Sequence, residues 1–406
     1  MRIAMVSEHA SPLAAVGGVD AGGQNVHVAA LAAGLAEVGH DVTVFTRRDR
    51  TSLPERVHTH GYAVEHVDAG PPAEVPKDEL LGHMREFAAD LSARMDGQGF
   101  DVVHTHFWMS GLATRWALEA LPGDTPAHLH TFHALGVVKR RHQGAEDTSP
   151  PERLAHERWL AGAVDQVVAT SRDEVEELQA QGVDEARCSV VPCGVDTRVF
   201  RPLPTRRAGS PYTVLSLGRL VPRKGLADLV TAMASVPDAN LVVAGGPPAD
   251  ALDLDQEVLR LRAVAESAGC ADRVRFLGRV DHDEIPGLMA SADVVASVPW
   301  YEPFGIVPVE AMACGRPVVA TAVGGQLDTV VHEQTGLLVR PRQPEEVAAA
   351  LRRLLAEERL RERYGENAHR RAACYDWRRV AAETERVYRD VLDRSASRPG
   401  EKQVLR

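Results

Sequence analysis

The sequence predicts an α/β protein made of two Rossmann-like, doubly wound domains. Near the N-terminus, a strand over residues 2–7 (RIAMVS), a glycine-rich loop, a helix beginning at Asn25 and a strand over residues 41–46 follow one another. This is the order of a βαβ unit in a parallel sheet. The order starts again with a strand over residues 213–217, which leads into Gly218-Arg219. Two such sheets facing each other would leave a cleft, the usual place for a ligand.

The chain of 406 residues, 44% of them apolar, is long enough for two cores. Residues 201–211 carry three prolines and three arginines and are the best linker. We therefore predict an N-terminal domain over residues 1–203 and a C-terminal domain over residues 204–374. A last helix near residues 377–395 is expected to pack back on the N-terminal domain, and residues 396–406 are expected to form a disordered tail.

Charge and cysteine usage exclude several classes of protein. A net charge of −11 argues against nucleic acid as a partner and gives no strong signal for a membrane surface. The five cysteines are widely spaced and contain no CxxC pair, which fits a reducing compartment. No stretch approaches the roughly 18 apolar residues of a membrane span, and the N-terminal apolar run is too short for a signal peptide. We expect a cytoplasmic protein with small-molecule substrates; its oligomeric state stays open.

The first glycine-rich loop lies at the carboxyl end of the first strand, where open α/β sheets bind ligands. Its glycines come in pairs at 17–18 and 22–23, unlike the GxGxxG fingerprint, so a nicotinamide cofactor is not expected. Gly22 and Gly23, at the start of the helix that holds Asn25, could bind a small anion or a sugar. A plain tight turn is the alternative.

Histidines are concentrated on two predicted strands of the N-terminal half. Alternating residues of a strand share one face, so the two HxH pairs could chelate a metal. No acidic ligand or HxxxH spacing supports a metal site, and we predict none. One histidine at a strand end should instead point into the cleft, and His133 is the choice because it comes last, where the strand leads into a loop. The histidines concerned are His104, His106, His128, His130 and His133.

Residues 302–325 place Glu302 and Glu310 eight positions apart, around a Phe304-Gly305 turn and a helix predicted to begin at Pro308. A helix N-terminus offers free N–H groups and a partial positive charge, so this stretch could seat a diphosphate beside carboxylates. An ordinary loop-helix-strand unit is the alternative. Further along, residues 345–364 predict one charged amphipathic helix.

Two cations flank a turn at the carboxyl end of the first strand of the second half. Arg219 could make bidentate contact with phosphate, and Lys224 lies at the entry of the next helix. A structural salt bridge is the alternative.

Together these motifs resemble the retaining GT-B glycosyltransferases of family 4, and the resemblance covers nearly the whole chain. The two glutamates match the E-x7-E motif of that family, and VPCGVDTRVFRP (residues 191–202) is similar to the segment that ends its first domain, with Cys193 in place of the usual asparagine. The other motifs that carry the resemblance are Gly218-Arg219, Lys224-Gly225, Glu302-Pro303-Phe304-Gly305 and Gly324-Gly325.

The resemblance implies a GT-B fold with an acceptor-binding N-terminal domain and a donor-binding C-terminal domain. It implies retaining transfer of a hexosyl group from a nucleotide-diphosphate sugar, most simply a UDP-sugar, to a hydroxyl of a small polar acceptor, with no metal or other cofactor. Glu302 would contact the transferred sugar and Glu310 the ribose. The implied catalytic residues are His133, Arg219, Lys224 and Glu302. The implied donor-binding residues are Gly218, Arg219, Lys224, Val280, Glu302, Phe304, Gly305, Ile306 and Glu310.

A finer resemblance, to the sucrose-phosphate synthase and inositol-phosphate N-acetylglucosaminyltransferase branch, concerns the acceptor. DAGGQNVHV (residues 20–28) and the residues around Lys77 and Arg153 carry it. Phe107 departs from it, because the inositol-phosphate enzymes usually have tyrosine there, which leaves open whether the acceptor carries phosphate. The implied acceptor-binding residues are Gly22, Gly23, Asn25, Lys77, Thr131, His133 and Arg153.

Two other functions fit the same fold. A nucleotide-sugar epimerase would isomerise the donor without an acceptor. A non-catalytic sugar-nucleotide-binding protein would bind without turnover, although the presence of Arg219, Lys224, Glu302 and Glu310 counts against it.

Overall fold

The computed structural model describes residues 1–14, 22–203 and 211–397. The chain divides into two compact units: the first comprises Met1–Pro192 and a C-terminal part that begins at Trp377, and the second is Cys193–Asp376. Of the sequence-based expectations, the glycine pair at 17–18, linker residues 204–210 and tail residues 398–406 lie outside the described residues.

The first unit is built on a sheet of eight strands. Its spatial order is β3-β4-β2-β1-β5-β6-β7-β8, and every neighbouring pair is parallel except β3 with β4. A parallel sheet covered by helices on both faces needs strands that are apolar throughout, and residues 3–6 of β1 are fully buried. The strands are β1 (Arg2–Val6), β2 (Asp41–Arg47), β3 (Arg56–Thr59), β4 (Tyr62–Val67), β5 (Val102–His106), β6 (Ala127–Thr131), β7 (Gln166–Ala169) and β8 (Cys188–Val190).

Helices cover this sheet, and large side chains such as Phe87, Trp108 and Phe132 fill the core between them. Full burial of one such side chain stabilises the fold by about 1.5–3 kcal/mol. The helices are α1 (Gly23–Glu37), α2 (Met84–Met95), α3 (Trp108–Ala120), α4 (Gly136–Gln143), α5 (Arg153–Ala163) and α6 (Arg172–Ala180), with short 3-10 helices at Lys77–His83, Gly144–Glu146 and Glu185–Arg187.

The second unit has a six-stranded sheet, parallel throughout, in the order β11-β10-β9-β12-β13-β14. Its strands are β9 (Tyr212–Leu217), β10 (Ala239–Ala244), β11 (Val274–Gly278), β12 (Val294–Ser297), β13 (Val318–Thr321) and β14 (Gly336–Val339). Its helices are α7 (Leu226–Met233), α8 (Gln256–Ser267), α9 (Ile285–Ser291), α10 (Ile306–Ala313), α11 (Gln326–Thr329), α12 (Pro344–Ala356) and α13 (Glu358–Ala372). The sequence prediction of two doubly wound α/β sheets is confirmed.

A last helix, α14 (Trp377–Ala396), belongs to the first unit. The hydroxyl of Tyr388 and Nδ1 of His104 on β5 form a buried hydrogen bond of 2.7 Å, and Arg394 donates to the side chain of Gln166 on β7 at 2.7 Å. These contacts join the C-terminal helix to the central and outer strands of the first sheet. Among the described residues, no helix combines the length and apolar character needed to cross a membrane.

Each sheet has a point where its strand order reverses. The central strand β1 lies between β2 and β5, and β9 lies between β10 and β12. Helices that leave two such neighbouring strands go to opposite faces, which opens a crevice beyond their carboxyl ends. Ligand-binding side chains are therefore expected at two places. One is beyond the carboxyl ends of β1 and β5 in the first unit, and the other is beyond those of β9 and β12 in the second unit.

Three local predictions need correction, and one pair of strands was not predicted. Residues 345–364 comprise nearly all of α12 and the first half of α13, because the helix is interrupted at Glu357. The guanidinium of buried Arg361 donates to the last carbonyls of α12, those of Leu354 and Leu355, at 3.0 and 2.9 Å. The helix expected from Pro308 begins two residues earlier, and the antiparallel edge pair β3–β4 was not predicted. The first unit ends at Pro192 rather than at residue 203.

Candidate functional site

In the second unit, a partly buried ion pair lies beyond the carboxyl ends of β9 and β12. The Nζ of Lys224 donates to Oε2 of Glu302, and Nη1 of Arg223 lies 3.9 Å from the same oxygen. The side chain of Lys224 is 22% exposed, that of Glu302 is 14% exposed and that of Arg223 is 15% exposed. Two cations thus share one carboxylate, which leaves this group a net positive charge.

Glycine turns bring these side chains together. Gly225 has a φ of 68°, and a Cβ added there would lie 2.0 Å from the carbonyl oxygen of Val298, just past β12. Gly324 has a φ of 49°, and a Cβ there would lie 2.0 Å from the carbonyl oxygen of Glu302. Both positions therefore require glycine, for a left-handed backbone and for close packing. The glycines hold Lys224 and Glu302 against each other.

The ionisation of the pair follows from burial and mutual attraction. Burial lowers the pKa of Lys224 below its ordinary 10.5, and Glu302 offsets this only in part. Burial also opposes ionisation of Glu302, but Lys224 and Arg223 outweigh it, so the pKa of that carboxyl lies below 4.5. Glu302 therefore supports the charge of a lysine that burial would otherwise tend to neutralise.

Helix α10 begins beside this pair. Gly305, with a φ of 84°, caps the helix, and the first amides of an α-helix have no partner within it. These amides, from Ile306 onward except Pro308, which has no N–H, can donate hydrogen bonds to an anion or a hydroxyl oxygen. One turn further, burial raises the pKa of Glu310 to about 7.

The other predicted donor-site residues lie at the same edge of the second sheet. Gly218 follows β9 directly, and the charge of Arg219 helps to lower the pKa of Lys224, so the two cations lie close together. Val280 comes two residues after the end of β11, at the outer strand of the sheet. Arg223 was not predicted as a site residue, although it is adjacent to Lys224 in the sequence.

In the first unit, three histidines converge at the ends of β5, β6 and the start of α1. The ligand-capable nitrogens of His27, His106 and His133 all lie within 4.8 Å of one another. The Nδ1 of His106 and Nε2 of His133 are 3.0 Å apart. The backbone of His133 has a φ of 61°, a conformation that few non-glycine residues adopt and that is common at functional sites.

Lys77 and Arg153 both face the ring of Phe107, the residue before α3. The Nζ of Lys77 lies 5.4 Å from the ring centre, and Cζ of Arg153 lies 5.2 Å from it. Both distances are in the range of cation–π attraction. Two residues predicted for the acceptor are therefore together, around the residue that departs from the family pattern.

Arg153 is also part of a buried network. Its Nε donates to Oε1 of Glu157 at 2.6 Å, and its two terminal nitrogens donate to Oγ of Ser149 at 3.2 Å and the carbonyl of Ala134 at 2.5 Å. Burial raises the pKa of Glu157, and Arg153 opposes that rise. The arginine thus has a structural role beside any role in binding.

Replacing Arg153 with alanine should destabilise the fold by about 3–5 kcal/mol at pH 7, because it leaves a buried carboxylate unpaired. The loss of unfolding free energy should become smaller as the pH falls toward 5. Without Arg153 the pKa of Glu157 is still higher, so this carboxyl becomes neutral and no longer costs energy as a buried charge. Urea unfolding at several pH values measures this. The control is Arg141→Ala, which removes a half-exposed pair with Glu177 and should cost less than about 1 kcal/mol. Equal losses for both variants would contradict the assignment.

Other residues predicted for the acceptor have structural hydrogen bonds. The hydroxyl of Thr131 is buried, donates to the carbonyl of Val168 at 2.8 Å and contacts Nε2 of His104 at 2.9 Å. Asn25 accepts from the amide of Gly22 at 3.0 Å and donates to the carbonyl of Ser11 at 3.0 Å. Their side chains stabilise the strand end and the loop, and Gly23 is the first residue of α1.

His27 was not predicted as a site residue, because it lies on a helix and the other histidines lie on strands. In a doubly wound sheet the helix after the first strand begins at the edge where the neighbouring strands end. The start of α1 is therefore expected near the ends of β5 and β6, which hold His106 and His133, and the rotation of the helix decides whether His27 faces them.

Two parallel doubly wound sheets, each with polar side chains at its switch point, define the GT-B class of glycosyltransferases. The model of glycosyl transferases group 1 matches residues 204–371, and that of glycosyltransferase family 4 matches residues 21–199. The chain belongs to this family: group 1 glycosyltransferases with an N-terminal part of the family 4 type.

The chain is similar to proteins named D-inositol 3-phosphate glycosyltransferase. It is 37% identical to the one from Kineococcus radiotolerans, over 98% of this chain and 97% of that protein. It is 34% identical to the one from Corynebacterium glutamicum, over 97% of each.

Among solved structures, sucrose-phosphate synthase from Thermosynechococcus elongatus is similar, with a TM-score of 0.88 and 32% identity over 97% of this chain and 100% of that one. HepE of Anabaena, in complex with UDP and glucose, has a TM-score of 0.72 and 21% identity over 96% and 99% of the two chains, which shows the fold alone. The expected GT-B fold and glycosyltransferase activity are thus confirmed.

Proposed function

We propose that this glycosyltransferase moves a hexosyl group from a nucleotide-diphosphate sugar, a UDP-sugar first of all, to a hydroxyl of a small polar acceptor. The observation that carries the proposal is the group of cations at the switch point of the second sheet, held by Glu302 and adjacent to the free amides of α10. In glycosyl transfer, negative charge grows on the leaving diphosphate. Fixed cations and N–H groups that meet this charge lower the barrier.

In this proposal Lys224 and Arg219 hold the donor diphosphate, and Glu302 binds a hydroxyl of the transferred sugar. Glu302 has a role both before and after the donor binds. Before binding it keeps Lys224 charged, and after binding it can accept a hydrogen bond from a sugar hydroxyl. The amides of Phe304, Gly305 and Ile306 bind sugar hydroxyls or phosphate. Glu310 accepts from the ribose hydroxyls, and the main chain at Val280 faces the base.

The acceptor is proposed to bind the first unit. The two cations facing Phe107 favour an acceptor with negative charge, and the names of the relatives favour a phosphorylated polyol such as an inositol phosphate. Phenylalanine cannot donate the hydroxyl hydrogen bond that a tyrosine would supply. We therefore propose that Lys77 and Arg153 carry the charge recognition, with Gly22, Gly23 and Asn25 shaping the loop beside them. His133 would contact the reacting groups.

We propose transfer with retention, by displacement on one face of the sugar. The acceptor oxygen forms a bond to the anomeric carbon while the bond to the diphosphate oxygen breaks, and the acceptor proton passes to that departing oxygen. Lys224 and Arg219 supply the positive charge that the diphosphate needs, so the proposed reaction requires no metal for the donor.

The test uses the purified chain with UDP-, GDP- and ADP-sugars, each offered with inositol phosphates and with free polyols. Mass spectrometry should find a hexosylated acceptor, and NMR should show the anomeric configuration of the donor preserved. Isomerised donor without any acceptor product would mean an epimerase. Binding with no turnover over the whole panel would mean a non-catalytic sugar-nucleotide-binding protein.

The high pKa of Glu310 predicts pH-dependent donor binding. Only the carboxylate accepts hydrogen bonds at both oxygens, and with a pKa of about 7 the ionised fraction falls about tenfold between pH 8 and pH 6. The KM for the donor should therefore rise about tenfold over this range. Glu310→Gln should bind the donor more weakly and with no such slope. A wild-type KM that is flat from pH 6 to 8 would contradict the ribose role. The control is Glu333→Gln, which changes an exposed carboxylate and should keep the wild-type slope.

A further inference from the structure

We propose that His27, His106 and His133 form a binding site for a divalent transition metal such as Zn²⁺, and that occupancy of this site stops glycosyl transfer. The second part rests on the proposed function, because it assigns His133 to the transfer reaction. The first part does not, since it depends only on the three side chains and their surroundings.

The distances fit a metal with a small adjustment. Zn²⁺ binds imidazole nitrogens at about 2.0–2.1 Å in tetrahedral geometry, which separates ligand nitrogens by roughly 3.3 Å. One pair, His106 Nδ1 and His133 Nε2, is already at 3.0 Å, and the whole group lies within 4.8 Å. The set closes when the farthest nitrogen moves inward by about 1.5 Å.

The protonation state fits as well. Burial lowers the pKa of His27 to about 4 and keeps those of His106 and His133 well below 6.5, with the neighbouring histidines adding to the effect. The three rings are therefore neutral at physiological pH, which is the form that binds metal.

The surrounding residues hold the rings in place. His104 lies against His106 with ring centres 4.3 Å apart and is fixed by hydrogen bonds to Tyr388 and Thr131. On the other side, the ring of Trp377 contacts His27 edge-on at 5.4 Å. These ring contacts restrict the rotation of His106 and His27, so less side-chain freedom is lost when a metal binds.

The ligand set selects the class of metal. Three imidazoles suit zinc, copper, nickel and cobalt, whereas magnesium and calcium require oxygen ligands. Three protein ligands leave a fourth position for water or an anion, as in open zinc sites. Three neutral ligands leave the charge of the metal uncompensated, so an anion such as chloride or phosphate should strengthen binding.

Metal in this position engages His133 and fills the space beside it with a hydrated cation. The acceptor then loses a contact that the proposed reaction uses. Zinc should therefore inhibit transfer reversibly, and a chelator should restore it.

The binding test uses the full chain without a histidine tag. Cobalt titration should show one high-affinity site, with the visible absorption of a tetrahedral complex, and zinc should displace it. His27→Gln keeps size and polarity but removes a ligand, and it should weaken cobalt binding by more than about a hundredfold, the upper limit for losing a mere second-shell partner. His106→Gln is a second variant with the same prediction. Circular dichroism confirms that each variant is folded.

His58→Ala is the matched control, because His58 is exposed on β3 and far in sequence from the group. It should bind one equivalent of cobalt as the wild type does. Absence of a tetrahedral cobalt spectrum in the wild type would overturn the site, as would equal affinity in wild type and folded His27→Gln.

Inhibition is measured separately, as transfer activity with and without zinc, each protein compared with its own metal-free rate. Wild type should be inhibited and His27→Gln resistant. Cobalt bound at the site without any loss of transfer would overturn the inhibitory role. If no donor and acceptor pair is turned over, the proposed function fails, while the cobalt titration still decides the metal site.

Discussion

Replacing Lys224 with methionine is expected to lower kcat about a hundredfold to a thousandfold, the usual effect of removing one group that stabilises charge in a transition state. Methionine keeps the length of the side chain and removes its charge. Because Lys224 meets charge that grows on the diphosphate only as the bond breaks, kcat should fall more than donor affinity. The measurement is steady-state transfer at saturating donor and acceptor.

Two further variants make this result specific. Arg260→Ala removes an exposed cation of α8 that pairs with Glu257 on its own helix, and it should leave kcat within about twofold. Lys224→Arg keeps a cation and should retain more activity than the methionine variant. A Lys224→Met enzyme with wild-type kcat would remove the lysine from the proposed mechanism.

Replacing Glu302 with glutamine is expected to change both the rate and its pH dependence. The variant loses a sugar contact, and kcat/KM should fall by about a hundredfold at pH 8. Glu302 also raises the pKa of Lys224 against the effect of burial. Without it that pKa falls further, so the ammonium form declines as the pH rises.

The Glu302→Gln variant should therefore recover activity as the pH is lowered from 9 to 7, because the lower pH restores the ammonium form of Lys224. The wild type should show less change over the same range. Rate profiles of both proteins measure this. Profiles that stay parallel would show that Glu302 does not act on Lys224. Glu333→Gln, at an exposed carboxylate in the same unit, is the control and should keep the wild-type profile.

The fold could be predicted from the sequence because most of the parallel strands are short apolar runs, some of which, such as β9 and β10, lead directly into glycine turns. The strand over residues 213–217 and Gly218-Arg219 are where the sequence places them. The break between α12 and α13 could not be predicted, since it depends on buried Arg361 reaching two carbonyls of the preceding helix. The edge pair β3–β4 lacks the strong apolar character of the central strands, since four of its ten positions, Arg56, His58, Glu65 and His66, carry a charged or imidazole side chain.

The part of the candidate site that lies in the second unit could be predicted from the sequence better than the part that lies in the first unit. Lys224 and Glu302 are on neighbouring switch-point loops, so topology alone brings them together. That the two form a partly buried pair, held by Gly225 and Gly324, could be seen only in the structure. In the first unit, the meeting of His27 with the strand histidines depends on the rotation of α1 about its axis, which sequence periodicity does not determine.

The claim that matters most is that the second unit binds the donor diphosphate through Lys224. Isothermal titration of UDP into the full chain tests it directly. The wild type should bind, and Lys224→Met should bind about tenfold or more weakly, because a hydrogen bond to a charged group contributes about 1.5–3 kcal/mol and 1.4 kcal/mol is a factor of ten. Equal affinity for UDP in the two proteins would contradict it.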